Sequence, residues 1–354
     1  MPARPAFVRA LVAWYRRSAR DLEFRRTRDP WRVLVAEVVL QQTRVEQGSA
    51  RLRRFLERYP TPRDLAASSE EEVLREWEGL GYYRRATSLR AAAAHIVERH
   101  GGQVPSGPTD LRALPGVGPY TAGAVASIAF GKPVPAVDGN AARVLSRLFM
   151  VGEELGTAAS GRQLREHSLS LHGGADPGTI NQALMELGAL VCTARAPRCG
   201  ECPVSRWCQA RAAGEVASYP VRPRRRALPE VEVAFAVVEW EGRVLAVRRK
   251  QGALLSGLWS LPGGDLEPAE TFEAAARRYV RRWGVQPSEM EEVSHQRKVF
   301  SSRVWDARVF RCTARGRGDT PGGVLWLSAR DLERVPFVPF HREILASLGA
   351  PPGN

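Results

Sequence analysis

Two carboxylates stand out because each lies in surroundings that are otherwise apolar or rich in glycine. Glu37 interrupts WRVLVAEVVL, a segment that is apolar nearly all round and is therefore predicted to form a buried helix. Asp138 ends the loop GKPVPAVD and stands beside Asn140. A buried carboxyl group has a raised pKa, which a general acid working near neutral pH requires. A structural glutamate held in an ion pair would give the same helix pattern at Glu37.

A glycine hairpin precedes Asp138. Pro115, Gly116, Val117 and Gly118 form a tight turn before an apolar helix at about 120–130, so the predicted helix-hairpin-helix element spans about 111–130. The amides of such a turn and the positive end of the helix dipole both favour an anion. The pattern indicates a seat for a nucleic-acid phosphate, although an ordinary turn between two helices has the same spacing.

Four of the five cysteines follow the pattern Cys192-x6-Cys199-x2-Cys202-x5-Cys208. This bunching on short loops at 192–208 suits a compact metal centre and does not fit a secreted disulfide scaffold. The spacing favours a four-cysteine iron–sulfur cluster over zinc, because the two CxxC pairs of a common zinc site are absent. Four protein ligands leave no open coordination position, which favours a structural or redox role.

These residues belong to a chain in which no strand is predicted before residue 215. Helical periodicity recurs along this part, at about 7–15, 30–40, 50–59, 70–78, 86–99, 120–130, 141–150, 161–171 and 178–190. A Pro- and Arg-rich stretch then predicts an extended linker at 218–229. Alternating segments predict strands beyond it, at 231–240, 244–248, 303–310 and 324–327, with a helix at 271–283. We therefore predict an all-α domain at 1–217 and an α/β domain at 230–354.

The charge of the chain is uneven. Its 354 residues carry a formal net charge of +14, and residues 1–229 hold 34 basic and 22 acidic side chains. The excess of cations indicates that the helical part binds a polyanion. We find no apolar run long enough to span a membrane and no signal-peptide core, and therefore expect an intracellular, cytoplasmic protein.

Taken in order, the motifs resemble the adenine DNA glycosylases of the MutY family, in the helix-hairpin-helix superfamily. The resemblance rests on WRVLVAEVVLQQT, LPGVGPYTAGAV, VDGN, the four-cysteine run and a Nudix-like segment, GLWSLPGG, and it covers nearly the whole chain. Each motif occurs more widely, whereas the ordered set is specific. The resemblance implies an all-α glycosylase domain with a [4Fe-4S] cluster, an α+β Nudix-like domain, and excision of adenine mispaired with 8-oxoguanine or guanine.

The resemblance also implies roles for the two carboxylates. Glu37 matches the general acid of the family and would protonate the flipped adenine, so that the base leaves neutral. Asp138 matches the second carboxylate and would stabilise the positive charge that develops at the sugar, as in glycoside hydrolysis. Tyr120 and Asn140 match positions that line the sugar site and orient Asp138. The adenine must leave the base stack to reach these groups.

Other positions are implied to contact DNA. Gln42 and Thr43 follow the helix of Glu37 and offer polar groups to base edges or phosphates. Leu80 and Tyr82 lie on a Gly-flanked turn where the family wedges the duplex. By its residues alone, this turn is equally consistent with a packed connection between helices.

For the hairpin and for the whole protein, the resemblance implies several partners. Gly116, Val117 and Gly118 would bind a phosphate through the backbone, and the same hairpin would bind a monovalent cation through carbonyl groups. The substrate would be double-stranded DNA with an A:8-oxoG or A:G mispair. We expect a monomer, with other repair proteins as further partners.

Tyr120 distinguishes two branches of the superfamily. The endonuclease III branch has a nucleophilic lysine at this position, and its amine is needed for the Schiff base that leads to strand cleavage. The chain has three lysines, of which only Lys132 precedes the linker. We therefore predict a monofunctional glycosylase, with Lys132 as the alternative amine.

The C-terminal part departs from an active Nudix hydrolase. After Glu270 the helix that should carry Mg²⁺-binding glutamates reads RRYVRRW at 277–283, and no acid occurs from residue 274 to 288. We therefore predict that this domain binds without hydrolysing. Phe300, Ser301 and Ser302 match the loop that recognises 8-oxoguanine, where the family commonly has Phe-Ser-His. Cys312 lies outside the cluster and is predicted to be a buried strand residue.

Four alternatives stay open at this stage. They are an endonuclease III-like glycosylase, a thymine-mismatch glycosylase, a non-catalytic DNA-binding protein with a redox-sensing cluster, and a Nudix pyrophosphohydrolase. The C-terminal domain argues against the first two, and the missing acids argue against the last.

Overall fold

The chain forms two compact units. The computed structural model describes residues 4–41, 45–223, 227–250, 255–318 and 322–349. One unit consists of Met1–Ser68 and Ser88–Arg225, and the other of Ser69–Thr87 and Arg226–Asn354. The chain thus passes from the first unit to the second within the stretch 218–229, and Ser69–Thr87 packs with the C-terminal unit.

All regular structure in the described part of the first unit is helical. Its helices are α1 (Arg4–Ser18), α2 (Pro30–Val39), α3 (Val45–Arg58), α4 (Pro62–Ala67), most of α6 (Arg84–His100), α7 (Pro108–Ala113), α8 (Pro119–Ile128), α9 (Gly139–Phe149), α10 (Ala158–Ser170), α11 (Pro177–Leu190) and α12 (Gln209–Ala212). Helix α3 begins earlier than its periodicity predicts, and the short helices α4 and α12 were not predicted. Helices α7 and α8 form the predicted helix-hairpin-helix element, which begins a few residues earlier than expected.

Close approaches between helices fix the loop that precedes Asp138. A Cβ atom at Gly123 would lie 2.1 Å from the carbonyl oxygen of Pro135, so α8 needs glycine there. Asn181, fully buried on α11, accepts a hydrogen bond from the amide of Ala136 at 3.2 Å and donates one to the carbonyl of Val134 at 2.9 Å. These contacts hold the loop between α8 and α11.

The second unit is built on a mixed sheet of seven strands. They are β1 (Glu230–Trp240), β2 (Arg243–Arg248), β3 (Trp259–Ser260), β4 (Gly263–Asp265), β5 (Glu291–Val299), β6 (Val304–Thr313) and β7 (Val324–Leu327). The order is β3-β2-β1-β6-β5, with β4 paired to β1 and β7 to β2. Strands β1 and β6 are parallel, and the other pairs are antiparallel.

Among the described residues, this unit also contains the helices α5 (Glu70–Glu76), α13 (Phe272–Arg282), α14 (Ala329–Leu332) and α15 (Pro339–Ser347), together with the first residues of α6. Ala275, Ala276 and Val280 of α13 are buried in a core that also holds Cys312 of β6, which confirms the prediction for that cysteine. Within the described residues, no helix has the length and apolarity to cross a membrane.

Candidate active site and cysteine loop

Glu37 and Asp138 lie on the wall of one cleft in the first unit. The cleft has a volume of about 580 Å³ and is also lined by Tyr120 and Asn140. Helix α2 supplies Glu37, α8 supplies Tyr120, and Asp138 and Asn140 lie at the start of α9. Residues from three separate helices of the sequence are thus brought together at one site.

The environment of Glu37 suits a proton donor. The hydroxyl of Tyr120 donates a hydrogen bond to its Oε2 atom. Burial raises the pKa of Glu37 to about 7; the Tyr120 hydrogen bond opposes this rise, the negative charge of Asp138 adds to it, and Arg25 opposes it. The carboxyl group of Glu37 is therefore hydrogen-bonded to a neutral hydroxyl. A structural glutamate held in an ion pair would instead have a cation as its partner.

Asp138 is the N-cap of α9. Its Oδ1 accepts a hydrogen bond from the amide of Ala141 at 2.7 Å, and its Oδ2 accepts one from Nδ2 of Asn140 at 3.0 Å. Burial raises the pKa of Asp138 above its usual value, and these two donors oppose the rise. The capping geometry fixes the orientation of the carboxylate at the cleft.

A chain of hydrogen bonds connects Asp138 to the cysteine loop. Arg143 donates from Nη2 to Oδ1 of Asn140 at 2.8 Å and to the carbonyl of Gly188 at 2.6 Å, and from Nε to the carbonyl of Cys192 at 2.7 Å. Gly188 must be glycine, because its Cβ would lie 2.6 Å from the carbonyl oxygen of Asn140. The group that orients Asp138 is therefore itself held by the start of the cysteine run.

The cleft also contains an ionic cluster that the sequence analysis missed. Glu186 of α11 is fully buried and accepts hydrogen bonds from Arg20 and from Nη2 of Arg25, the latter at 2.6 Å. Burial alone would raise the pKa of Glu186, but the bonds from these arginines lower it to about 2. Nη1 of Arg25 is buried without a hydrogen-bond partner in the described part of the chain. Glu186 could have been found by its setting, ALMELGAL, in which it is the only charged residue.

Gln182 and Tyr15 complete this side of the cleft. Gln182 lines the cleft one helical turn before Glu186, and its Oε1 accepts a hydrogen bond from the hydroxyl of Tyr15 at 2.7 Å. Tyr15 thereby fixes the side chain of Gln182, a group able both to accept and to donate hydrogen bonds.

The hairpin between α7 and α8 has the geometry of an anion seat. Gly116 has φ +74°, and its Cβ would lie 2.5 Å from that of Ser88, so the turn requires glycine. The amide of Val117 donates to the carbonyl of Leu114 at 3.1 Å. Helix α8 begins after Gly118 without a side-chain cap. A phosphate seat would thus depend on the glycine amides and the first turn of α8, since the amide of Val117 is engaged in the hairpin.

Cys192, Cys199, Cys202 and Cys208 line one small cavity. Arg147, only 3% exposed, donates from Nη1 to Sγ of Cys192 at 3.3 Å and to the carbonyl of Thr193 at 2.7 Å, and so holds the loop closed. No group of three or more His, Cys, Asp or Glu side chains in the described ranges is arranged around the position of a metal ion. The convergence of four thiols on a shared cavity nevertheless fits a cluster larger than one ion.

The predicted DNA-contacting residues have different environments. Leu80 is buried at 7% exposure, whereas Tyr82 is 49% exposed with φ +48°, a strained conformation for an aromatic residue. The turn therefore exposes Tyr82 and buries Leu80. Tyr82 could act as a wedge in a DNA duplex, whereas Leu80 belongs to a packed connection between helices. Gln42 and Thr43 lie outside the described residues.

The loop between β5 and β6 presents two of the three predicted lesion-recognition residues to solvent. Ser301 and Ser302 are exposed. The ring of Phe300 packs edge-on against Trp305, with the centroids 4.6 Å apart. Phe300 therefore anchors the loop, and the two serines are accessible for polar contacts.

The Nudix-like helix α13 carries an ion pair in place of a metal site. Arg278 donates from Nη2 to Oε2 of Glu270 at 2.6 Å, and this bond lowers the pKa of Glu270 to about 2. A guanidinium already neutralises Glu270, and Glu273, in the first turn of α13, is paired with Arg277 at 2.9 Å. The described residues therefore offer no cluster of acids for Mg²⁺.

Three segments of the chain match known protein families. Residues 35–168 match the HhH-GPD superfamily of base excision DNA repair proteins, residues 192–208 match the iron-sulfur binding domain of endonuclease III, and residues 233–347 match the NUDIX domain. The adenine DNA glycosylase of Homo sapiens is 34% identical over 92% of this chain and 71% of its own length. That of Mycobacterium tuberculosis strain H37Rv is 43% identical over 58% of this chain and 67% of its own length.

Solved structures give the same result for the helical fold. A thermostable thymine-DNA glycosylase matches with a TM-score of 0.55 and 29% identity, covering 60% of this chain and 98% of that one. A non-covalent complex of endonuclease III with DNA matches with a TM-score of 0.50 and 25% identity, covering 58% of this chain and 94% of that one.

Proposed function

The chain belongs to the adenine DNA glycosylases of base excision repair, and we propose that it removes adenine opposite 8-oxoguanine or guanine in duplex DNA without cutting the strand. The observation that carries this proposal is the placement of Glu37. Its carboxyl group has a pKa of about 7 and is hydrogen-bonded by Tyr120 on the wall of a cleft that also contains Asp138.

The reaction begins with a proton held on Glu37. Because its pKa is raised to about 7, Glu37 can still carry this proton at neutral pH. Transfer to a ring nitrogen of the flipped adenine converts the departing base into a neutral leaving group. The hydrogen bond from the Tyr120 hydroxyl then stabilises the carboxylate that remains on Glu37. The same contact therefore holds the side chain in place both before and after the proton is transferred.

Asp138 acts on the sugar. As the N-glycosidic bond breaks, positive charge develops on the sugar ring, and a fixed carboxylate stabilises it without reorganisation. The amide of Ala141 and the side chain of Asn140 favour the ionised form of Asp138 and hold it in place. Nη1 of Arg25, which has no hydrogen-bond partner among the described residues, and the side chain of Gln182 are available to recognise the base.

None of the described residues that line the cleft carries an amine, which supports a monofunctional reaction. Tyr120 occupies the position where a lyase needs a nucleophilic amine. Lys132 donates from Nζ to the hydroxyl of Ser106 at 3.1 Å and is not among the residues that line the cleft.

The second unit would recognise 8-oxoguanine through the loop that carries Phe300, Ser301 and Ser302. The exposed serines and the anchored Phe300 support this role, and the Glu270–Arg278 pair argues against nucleotide hydrolysis. A serine hydroxyl at position 302 is shorter than the histidine common in the family. We therefore expect that Ser302 contributes less to lesion contact than Ser301.

The four cysteines would hold a [4Fe-4S] cluster, since their thiols share one cavity and the segment matches an iron-sulfur binding domain. Such a cluster supplies a structural cross-link or a one-electron couple. The hairpin at Gly116–Gly118 would bind a phosphate and a monovalent cation. The protein would act as a monomer in the cytoplasm, where a bacterial-type nucleoid lies, with other repair proteins as partners.

Single-turnover cleavage of duplexes with adenine opposite 8-oxoguanine, guanine or thymine tests this proposal. Each reaction is analysed with and without alkali, which cuts the strand at a site that has lost its base. We expect fast adenine loss opposite 8-oxoguanine and strand breaks only after alkali. Breaks without alkali would contradict the monofunctional reaction, and equal rates opposite 8-oxoguanine and thymine would contradict the substrate.

A further inference from the structure

Helix α5 belongs by sequence to the glycosylase region matched at 35–168, yet it packs into the second unit. Two carboxylates of its first turn reach strands of the sheet. Oε1 of Glu70 lies 3.8 Å from Nη2 of Arg248 on β2, and Oε1 of Glu71 accepts a hydrogen bond from Nε1 of Trp259 on β3 at 3.3 Å. Trp259 is only 6% exposed, so this donor is presented from within the fold.

Contacts continue along the helix and beyond it. A Cβ atom at Gly257 would lie 3.1 Å from Cδ1 of Leu74, which shows how closely the apolar face of α5 approaches the backbone before β3. After the helix, Oε1 of Glu78 lies 3.2 Å from Nε of Arg342 on α15. Three carboxylates and one buried leucine thus fasten α5 to the second unit at both ends.

The turn that follows α5 is rigid and carries Tyr82. Nη2 of Arg85 donates to the carbonyls of Leu80 and Gly81 at 3.1 and 3.2 Å, and its guanidinium lies 5.5 Å from the centroid of the Tyr82 ring. Nε1 of Trp77, which is fully buried, donates to the carbonyl of Gly81 at 3.1 Å. The strained φ of Tyr82 persists because these bonds determine the turn on both sides.

We propose that Glu70, Glu71 and Glu78 are positioning residues that fix the Tyr82 turn to the sheet and helix α15 of the second unit. We further propose that the enzyme needs this attachment to distinguish 8-oxoguanine from guanine opposite adenine. The inference rests on the proposed recognition of 8-oxoguanine by that unit. Tyr82 and the loop of Ser301 belong to the same compact unit, so the attachment sets the position of the rigid turn relative to the loop. The glycosylase cleft lies in the other unit and keeps its own chemistry.

The test removes the attachment and leaves Tyr82 in place. A triple variant, Glu70→Gln with Glu71→Ala and Glu78→Gln, is compared with wild type for single-turnover excision of adenine opposite 8-oxoguanine and opposite guanine. We expect the rate opposite 8-oxoguanine to fall by about tenfold, equivalent to about 1.4 kcal/mol, while the rate opposite guanine changes by less than about twofold. Glu333→Gln, at an exposed position in the same unit, is the matched control and should change neither rate.

Two further variants keep the result interpretable. Trp259→Phe removes the donor to Glu71 and keeps a smaller aromatic ring in its place, so it provides a test if the triple variant does not fold. The charge swap Glu70→Arg with Arg248→Glu should restore part of the preference that Glu70→Gln alone loses.

The outcomes separate the two proposals. A wild-type protein with no preference for 8-oxoguanine would overturn the proposed lesion recognition. A wild-type preference that the folded triple variant retains, or an equal loss of both rates, would overturn the positioning role and leave the lesion recognition intact.

Discussion

The hydrogen bond from Tyr120 to Glu37 makes a quantitative prediction for the pH dependence of excision. Glu37 acts in its protonated form, so the single-turnover rate should be high below pH 7 and fall as the pH rises through the pKa of about 7. Between pH 6 and pH 8 the protonated fraction drops by about tenfold, and the rate should drop with it.

Tyr120→Phe should shift this profile toward alkaline pH. The hydroxyl stabilises the ionised carboxylate and so opposes the rise in the pKa of Glu37. A hydrogen bond to a charged group contributes roughly 1.5–3 kcal/mol, and one pKa unit corresponds to about 1.4 kcal/mol. Because the bond also survives in part when Glu37 is protonated, we expect the midpoint to move upward by about one pH unit.

The assay is excision of adenine from a duplex under single-turnover conditions at pH values between about 5.5 and 9, a range chosen to bracket an acid that titrates near neutrality. Tyr15→Phe is the matched control, because it removes a hydroxyl that donates to Gln182 in the same cleft and not to Glu37. A midpoint that stays fixed or moves to acid in Tyr120→Phe would refute the reasoning. So would a wild-type rate that does not fall above pH 7.

Two further predictions concern stability. The folded pKa of Glu37, about 7, exceeds its ordinary value of 4.5, so the stability that its proton provides is present below pH 4.5 and lost as the pH rises to 7. Glu37→Gln should abolish excision. In urea unfolding, the free energy of unfolding of this variant relative to wild type should increase by roughly 1–2 kcal/mol between pH 5 and pH 7. A difference between the two proteins that stays constant over this range would contradict the raised pKa. Gly123→Ala places a Cβ atom 2.1 Å from the carbonyl oxygen of Pro135. It should lower the free energy of unfolding by roughly 1–3 kcal/mol and slow excision. In the control Gly152→Ala the added Cβ atom meets nothing within 4 Å, so the excision rate should stay unchanged.

A site residue can be recognised from the sequence when its polarity differs from that of its neighbours in the chain. Glu37 is visible because a carboxylate in a helix of valines and leucines has no local partner. Asp138 is visible because a glycine- and proline-rich loop leads to it. Arg20 and Arg25 are not visible, because a basic N-terminal segment has the same composition whether its arginines face solvent or a carboxylate on α11. Their role depends on Glu186, more than a hundred residues away in the chain.

Some elements of the fold also could not be predicted from the sequence. Strand β5 was not predicted because it is an edge strand with mostly polar, exposed residues, EEVSHQRKV, so that it lacks the alternation that burial of one face produces. The packing of α5 with the second unit was not predicted either. Its helical pattern specifies which face is buried, but the partner of that face is chosen by tertiary contacts such as that between Glu71 and Trp259.

The division of labour between the two carboxylates follows from where the backbone places them. Both lie on one cleft, and burial raises the pKa of each. Asp138 caps α9 and receives two N–H donors, which favour a carboxylate. Glu37 lies in the last turn of α2, where the backbone amides are engaged in the helix, and it receives one neutral hydroxyl. A carboxyl group at a helix N-terminus therefore keeps its charge for the sugar, and one inside a helix keeps its proton for the base.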